Sequence, residues 1–126
     1  MSKQIIVSNQ APAPIGPYSQ AVKAGNTLYI SGQIPFDEVT GEMINENITE
    51  ETHQVMKNLD SILSEANMTF DHVVKCSIFI KDMNQFATIN EAYAQYFQSK
   101  PPARECVEVA RLPKDVNVEI SCIAVE

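Results

Sequence analysis

Residues 101–125 read PPARECVEVARLPKDVNVEISCIAV, two apolar-rich runs on either side of a Leu-Pro-Lys-Asp turn at 112–115. This pattern predicts two strands joined by a polar loop. Side chains alternate along a strand, so Arg104 and Cys106 share one face of the first strand, and Glu119 lies opposite the apolar face of the second. A charge on a strand is solvated, paired or used in function. We expect both charges on the sheet face opposite the core.

The composition is that of one globular domain spanning residues 1–126, with 44% hydrophobic and 20% charged residues. A net charge of -7 without a basic run argues against binding to a nucleic-acid backbone. Residues 1–7 are too short and polar for a signal peptide, and no apolar run approaches the roughly 20 residues that span a bilayer. Three cysteines without paired spacing indicate free thiols and no zinc site. We therefore expect a cytoplasmic protein without a metal.

Hydrophobic periodicity and turn residues predict three strands, a helix, a strand, a second helix and two further strands. The first four predicted strands cover residues 3–8, 19–24, 27–31 and 71–81, with loops at 9–18 and 33–47. The first helix begins at Asn47 or Thr49 and ends near Asn67, and the second is capped by Asp82 or Asn84. The expected buried positions are Val74, Cys76, Ile78 and Ile80 on the fourth strand and Phe86, Ile89, Tyr93, Ala94 and Phe97 on the second helix. This order predicts an α+β fold, a six-stranded mixed sheet with two helices packed on one face.

The face without helices is expected to be partly apolar. It would carry Tyr29, Ser31, Phe79, Arg104, Cys106, Glu119, Ile123 and Val125. Such a surface is too apolar to be left in solvent, so we infer that it packs against another copy of the chain. The boundary between copies would hold a cleft, a common location for a small-molecule site.

Five segments of the chain match one family in order and spacing. They are APIGPYSQ at 13–20, YISGQIP at 29–35, FATIN at 86–90, PAR at 102–104 with VEVARLP at 107–113, and VEI at 118–120. Together they resemble the RidA/YjgF family of reactive-intermediate, or enamine/imine, deaminases, and the resemblance covers nearly the whole chain.

The resemblance implies a chorismate-mutase-like fold assembled as a homotrimer, with clefts between subunits. It implies a 2-iminobutanoate/2-iminopropanoate deaminase, a hydrolase acting on C–N bonds, which converts 2-aminoacrylate and related enamines or imines to 2-keto acids and ammonia. Such intermediates are released by pyridoxal-phosphate-dependent dehydratases. The resemblance implies no metal or organic cofactor, and small-molecule, not nucleic-acid or membrane, partners.

The resemblance also assigns roles to residues. Arg104 would hold the substrate carboxylate, which suits a bidentate guanidinium. Glu119 and the backbone around Cys106 would position a water, and Tyr18 would line the pocket. From its position after the Pro-rich loop, Tyr18 would either close the cleft and donate a hydrogen bond or anchor the loop on the core. The remaining substrate-binding residues would be Ser31, Gly32, Phe86 and Asn90.

Two positions depart from the family pattern. Glu105 stands where a small residue is common, and Ser121-Cys122 replaces the usual Glu-Ala. Alternation points Glu105 away from Arg104, so we expect Arg104 to remain free. A bulge would instead let Glu105 pair with Arg104, and the loss of an acid at Ser121 would alter the ionisation of Glu119.

Other functions are consistent with the same residues. A non-catalytic module that binds a keto acid or amino acid would need Arg104 but not Glu119. A ribonuclease activity, with which parts of the family are credited, is disfavoured by the acidic charge balance. No feature specifically indicates a chaperone-like holdase.

Overall fold

The structure, a computed structural model, describes residues 2–126. The strands within these residues are β1 Lys3–Ile6, β2 Ala21–Ala24, β3 Thr27–Gln33, β4 Phe36–Asp37, β5 Glu42–Met43, β6 Val73–Ile80, β7 Ala103–Glu108 and β8 Val118–Val125. The α-helices are α1 Ile48–Glu65 and α2 Phe86–Ala94. Neither helix has the combination of length and apolar composition needed to cross a membrane.

Six of the described strands form one mixed sheet in the order β1-β2-β3-β8-β6-β7. Neighbouring strands are antiparallel except β6 and β7, which are parallel because the connection through α2 crosses over between them. The predicted α+β architecture with a six-stranded mixed sheet is therefore confirmed. The loop expected at residues 33–47 was wrong in detail: β4 and β5 form a small antiparallel hairpin inside it.

The predicted helix ends are largely confirmed. Asn47 caps α1, its side chain accepting a 2.9 Å hydrogen bond from the backbone N–H of Glu50. Asn67, with φ of 58°, takes the left-handed conformation just after the helix.

The prediction that Asp82 or Asn84 caps the second helix was wrong. Asp82 caps a short 3-10 turn that leads into α2, and α2 itself follows Gln85, whose side chain makes no capping hydrogen bond. The expected buried position Ala94 was wrong, because that residue is exposed.

Both helices lie over the apolar side of the sheet, which we call the helix face. Its buried strand residues are Leu28, Ile30, Cys76, Ile78, Ile80, Val118, Ile120, Cys122 and Ala124. The expected core position Val74 was wrong. The pairing of β6 with β8 shifts between Val73 and Lys75, and this bulge turns Val73 inward and Val74 outward.

The opposite side of the sheet, which we call the open face, carries exposed apolar side chains, Tyr29 at 50% and Val107 at 41% exposure. Glu119 lies on this face as predicted, because its cross-strand neighbour is Phe79 and the adjacent Ile120 is buried. The expectation that Arg104 and Cys106 lie on the open face was wrong. The parallel register aligns Arg104 with Cys76 and Cys106 with Ile78, both on the helix face, so the two charges lie on opposite faces.

Candidate functional site

A cavity of about 650 Å³ opens beside β3, in the range of small-molecule sites. It collects four of the predicted site residues: Tyr18, Ser31, Gly32 and Glu119. The rest of its lining is mostly apolar and comes from the Pro-rich loop, the β4–β5 hairpin and the turn before β8: Pro12, Ala13, Ile15, Gln20, Gln33, Ile34, Phe36, Glu38, Met43, Pro113 and Lys114.

A β-bulge brings Glu119 against the end of β3. The register between β3 and β8 slips between Ile30 and Gln33, so β3 contains one extra residue there. Gly32 lies in this bulge, and a Cβ at this position would collide with the carboxylate of Glu119, lying 2.7 Å from its Cδ. The absence of a side chain at Gly32 therefore creates the space in which the Glu119 carboxylate lies.

The environment of Glu119 raises the pKa of its carboxyl group. Among residues 2–126, its carboxylate has no hydrogen-bond donor and no basic partner. Partial burial raises its pKa above the ordinary value, because removal from water penalises the charged form. A carboxyl group with a raised pKa in a cleft is suited to exchange protons with a bound molecule.

The Pro-rich loop that forms one cavity wall is fixed by a buried amide. The Gln20 side chain accepts a 2.7 Å bond from the N–H of Ser8 and donates to the carbonyls of Ser8, Ala11 and Pro12. Four hydrogen bonds from one buried side chain hold this loop against the sheet. Tyr18 follows the loop with its ring 50% exposed, where it can contact a bound ligand.

Arg104 and Phe86, two of the other predicted residues, meet at the far edge of the sheet. The Arg104 guanidinium carbon lies 5.5 Å from the ring centre of Phe86 and 5.0 Å from that of Tyr93, both on α2. Asn90 lies one turn after Phe86 on the same helix. No carboxylate within residues 2–126 pairs with Arg104, so its donors are available to a ligand.

Cys106 lies two residues after Arg104 on the same face of β7. Its side chain packs partly against the core, and burial raises the pKa of its thiol despite the nearby Arg104 charge. The thiolate, which is the nucleophilic form of cysteine, is thereby disfavoured. This environment fits a residue that contributes its backbone to the site.

Glu105 does not compete for Arg104. It lies on the open face, where its carboxylate pairs with Lys75 Nζ at 2.9 Å and accepts a short hydrogen bond from Ser77. The bond from Ser77 and the bond from Lys75 lower the pKa of the Glu105 carboxyl. The expectation from strand alternation that Arg104 stays free of this residue is confirmed.

The two groups of predicted residues do not form one site within a single chain. On β6, the cross-strand neighbour of Glu119 is Phe79 and that of Arg104 is Cys76. Glu119 and Arg104 are therefore separated by two strands across the sheet and by three residues along it. Strand geometry alone separates their Cα atoms by roughly 14 Å, and their side chains leave opposite faces. One small substrate cannot contact both side chains of the same chain.

Several cavity residues were not identified from the sequence. Phe36 and Met43 escaped notice because two-residue strands give no periodic signal. Lys114 was visible only as a turn residue, and it adopts a positive φ of 59° beside Asp115 at 57°. Backbone strain of this kind is common in loops at functional sites. Within residues 2–126, no group of three or more His, Cys, Asp or Glu side chains could hold a metal ion.

Comparison with known proteins gives consistent matches over the full length. The Endoribonuclease L-PSP family model matches residues 8–126. A RutC family protein of Pyrococcus horikoshii is 52% identical over 122 residues, covering 97% of each chain.

Two further matches carry more specific names. A mouse protein named 2-iminobutanoate/2-iminopropanoate deaminase is 46% identical over 98% of this chain and 92% of its own. A crystal structure of YyfA from Yersinia pestis, described as a protein of unknown function of the conserved Rid protein family, superposes with a TM-score of 0.96. It is 44% identical and covers 99% of this chain and 100% of its own.

Proposed function

The chain belongs to the RidA/YjgF family, whose model is described as endoribonuclease L-PSP, and we propose that it is a hydrolytic deaminase of 2-aminoacrylate and related enamines and imines. The products are a 2-keto acid and ammonia. The observation that carries the proposal is a pair of groups without an ion-pair partner in residues 2–126, the guanidinium of Arg104 and the carboxyl of Glu119. Two relatives named as imine deaminases, at 46% identity, support it.

The site forms between two copies of the chain in this proposal. Arg104 and Glu119 leave opposite faces of one sheet, so a substrate that contacts both must lie between neighbouring subunits. The exposed apolar side chains of the open face give those subunits a surface to pack on. A homotrimer with a chorismate-mutase-like fold in each subunit satisfies both requirements, since cyclic symmetry repeats the same cleft at every boundary.

Each charge has a distinct role in the reaction. Arg104 binds the substrate carboxylate through two parallel N–H bonds, leaving the imine carbon over the Glu119 cleft. Protonated Glu119 donates its proton to the imine nitrogen as water adds to the carbon. The resulting carboxylate takes a proton from the added water and passes it to the amino group. As ammonia leaves, the carboxylate takes the remaining hydroxyl proton, which forms the keto acid and restores protonated Glu119. Tyr18, Ser31, Gly32, Phe86, Asn90 and the backbone at Cys106 complete the pocket.

The test of the proposed function measures ammonia and keto-acid release from freshly generated 2-aminoacrylate at a fixed amount of the generating dehydratase. Arg104→Lys keeps the charge but loses the bidentate fork, and Arg104→Ala loses both. We expect Arg104→Ala to lower kcat/KM by at least about 100-fold, with Arg104→Lys intermediate. Arg111→Lys is the matched control, because Arg111 is exposed and its ion pair in the described residues 2–126 is with Asp115.

Two outcomes would redirect the proposal. If the wild-type protein does not exceed the uncatalysed rate, it is not a deaminase of this substrate. Binding of 2-ketobutyrate that depends on Arg104 but not on Glu119 would then identify a keto-acid-binding module. A ribonuclease is disfavoured by the net charge of -7, and RNA cleavage that survives loss of Arg104 would revive it.

A further inference from the structure

The guanidinium of Arg104 is held between two aromatic rings of α2. Its carbon lies 5.0 Å from the ring centre of Tyr93 and 5.5 Å from that of Phe86. Both distances are within the range of a cation–π contact. Arg104 makes no ion pair within residues 2–126 that would otherwise fix its position.

Of the two rings, Tyr93 is the more firmly fixed. It is 5% exposed, and its ring centre lies 4.9 Å from that of Phe97, which in turn contacts Phe70 at 5.3 Å. Phe86, at the first residue of α2, is only partly buried. An aromatic surface that is itself packed from behind restricts the rotamers of the side chain lying on it.

The hydroxyl of Tyr93 contributes nothing visible to this arrangement. It is buried facing the weakly polar thiol of Cys76, and no hydrogen bond of ordinary geometry satisfies it within residues 2–126. A buried hydroxyl without a partner is destabilising. The feature that matters at position 93 is therefore the ring that lies under Arg104.

We infer that Tyr93 is a positioning residue, whose ring holds the Arg104 guanidinium in the orientation that receives the substrate carboxylate. The catalytic consequence of this inference rests on the proposed function. The contact of Arg104 with the rings of Tyr93 and Phe86, which we call the aromatic clamp, is a property of the free protein. A long arginine side chain loses considerable rotamer freedom when it binds a ligand. A guanidinium already immobilised on a ring has lost part of that freedom before the substrate arrives.

The clamp can be observed directly by NMR, because the sequence contains only two arginines, Arg104 and Arg111. Their side-chain Nε–Hε groups give two cross-peaks in a proton–nitrogen spectrum. Protons over a ring face are shifted upfield, so we expect the Arg104 peak to lie upfield of the position of a free arginine. The Nε–H of Arg111 donates to Asp115 instead, and its peak is identified by its loss in Arg111→Lys. An Arg104 peak at the position of a free arginine in the wild-type protein would overturn the inference.

Three variants then distinguish an effect of the Tyr93 ring from a general effect on the fold. Tyr93→Leu removes the ring and should return the Arg104 peak toward the free position, raising KM roughly tenfold with a smaller change in kcat. Tyr93→Phe keeps the ring and should preserve both the peak and KM. Tyr96→Leu removes a ring of the same aromatic cluster that does not contact Arg104, and it should leave both unchanged.

The spectrum and the kinetics allow the positioning role of Tyr93 and the proposed function to be refuted separately. A displaced Arg104 peak with no deaminase activity would leave the clamp intact and refute the proposed function. Equal KM values for Tyr93→Leu and wild type, with the peak moved, would refute the positioning role. If Tyr93→Leu does not fold, the Phe86→Leu spectrum decides the point, because Tyr93 is then the remaining one of the two rings within cation–π distance in residues 2–126. An Arg104 peak at the free position in Phe86→Leu would overturn the inference.

Discussion

The cleft around Glu119 and the aromatic clamp around Arg104 have opposite effects on the ionisable groups that they hold. Glu119 lies in a cavity with no donor or basic partner in residues 2–126, where burial raises its pKa. Arg104 lies on two rings with its N–H groups available. The cleft keeps its carboxyl ready to exchange a proton, and the clamp keeps its cation fixed and permanently charged.

This difference explains why the two charges can be built on one sheet without neutralising each other. Within one chain they lie on opposite faces, so they cannot form an ion pair with each other. An ion pair between them would lower the pKa of Glu119 and occupy the donors of Arg104. Because the two groups are separated within a chain and meet only at the proposed subunit boundary, both remain available to a substrate that binds there.

The largest effect on kcat is expected from removing the carboxyl of the cleft. Glu119→Gln keeps the size of the side chain but can no longer transfer a proton, so we expect kcat to fall on the order of 100-fold. Keto-acid affinity should change little, because Arg104 still binds the carboxylate. Steady-state kinetics and a binding titration on the same preparation measure the two effects.

The matched control for this variant is Glu105→Gln, another glutamate of the open face that lies outside the cavity. Its carboxylate pairs with Lys75 on the open face, so oligomer size is measured for both variants to separate subunit packing from proton transfer. Equal losses of activity in Glu119→Gln and Glu105→Gln would mean that activity depends on the negative charge of the open face and not on proton transfer at Glu119.

A smaller effect is expected when the cleft is narrowed and no charge is removed. In Gly32→Ala the new Cβ would meet the Glu119 carboxylate, and displacing that group should lower kcat about tenfold. Gly16→Ala is the control, because its Cβ would meet only the Tyr18 ring at an ordinary 3.7 Å. Unchanged activity of Gly32→Ala would place the reacting carboxyl elsewhere.

The smallest effect concerns stability. Because the folded-state pKa of Glu119 lies above its unfolded value, its ionised form destabilises the fold at neutral pH. Glu119→Gln should therefore be more stable than wild type near neutral pH, by about 1 kcal/mol or less because solvent screens a partly exposed group. The difference should disappear as the pH falls toward the ordinary value of about 4.3. Denaturant unfolding at a fixed protein concentration measures it, and a less stable variant at neutral pH would contradict it.

The sequence predicts the elements of this protein better than it predicts their faces. Caps and periodicity located α1 between Asn47 and Asn67, because these signals are local. Arg104 was assigned to the wrong face because alternation gives only relative orientation. Its absolute orientation depends on the parallel register of β7 against β6, which is fixed by packing across the α2 crossover.

The same limit applies to the candidate site. The matched motifs identified Tyr18, Ser31, Gly32 and Glu119, which the structure brings together in one cavity. They could not identify Tyr93, whose spacing on α2 is that of an ordinary core residue. Its contact with Arg104 arises from the meeting of a helix and an edge strand that are adjacent only in the folded chain.

The most direct measurement of the shared site mixes two inactive variants. Arg104→Ala and Glu119→Gln are co-expressed with different tags, and oligomers carrying both tags are isolated and assayed on 2-aminoacrylate. If each site takes Arg104 from one subunit and Glu119 from its neighbour, every trimer carrying both tags restores one of its three sites. The account predicts that activity, well above either variant alone. Mixed oligomers that remain inactive, although the wild type is active, would contradict a site shared between subunits.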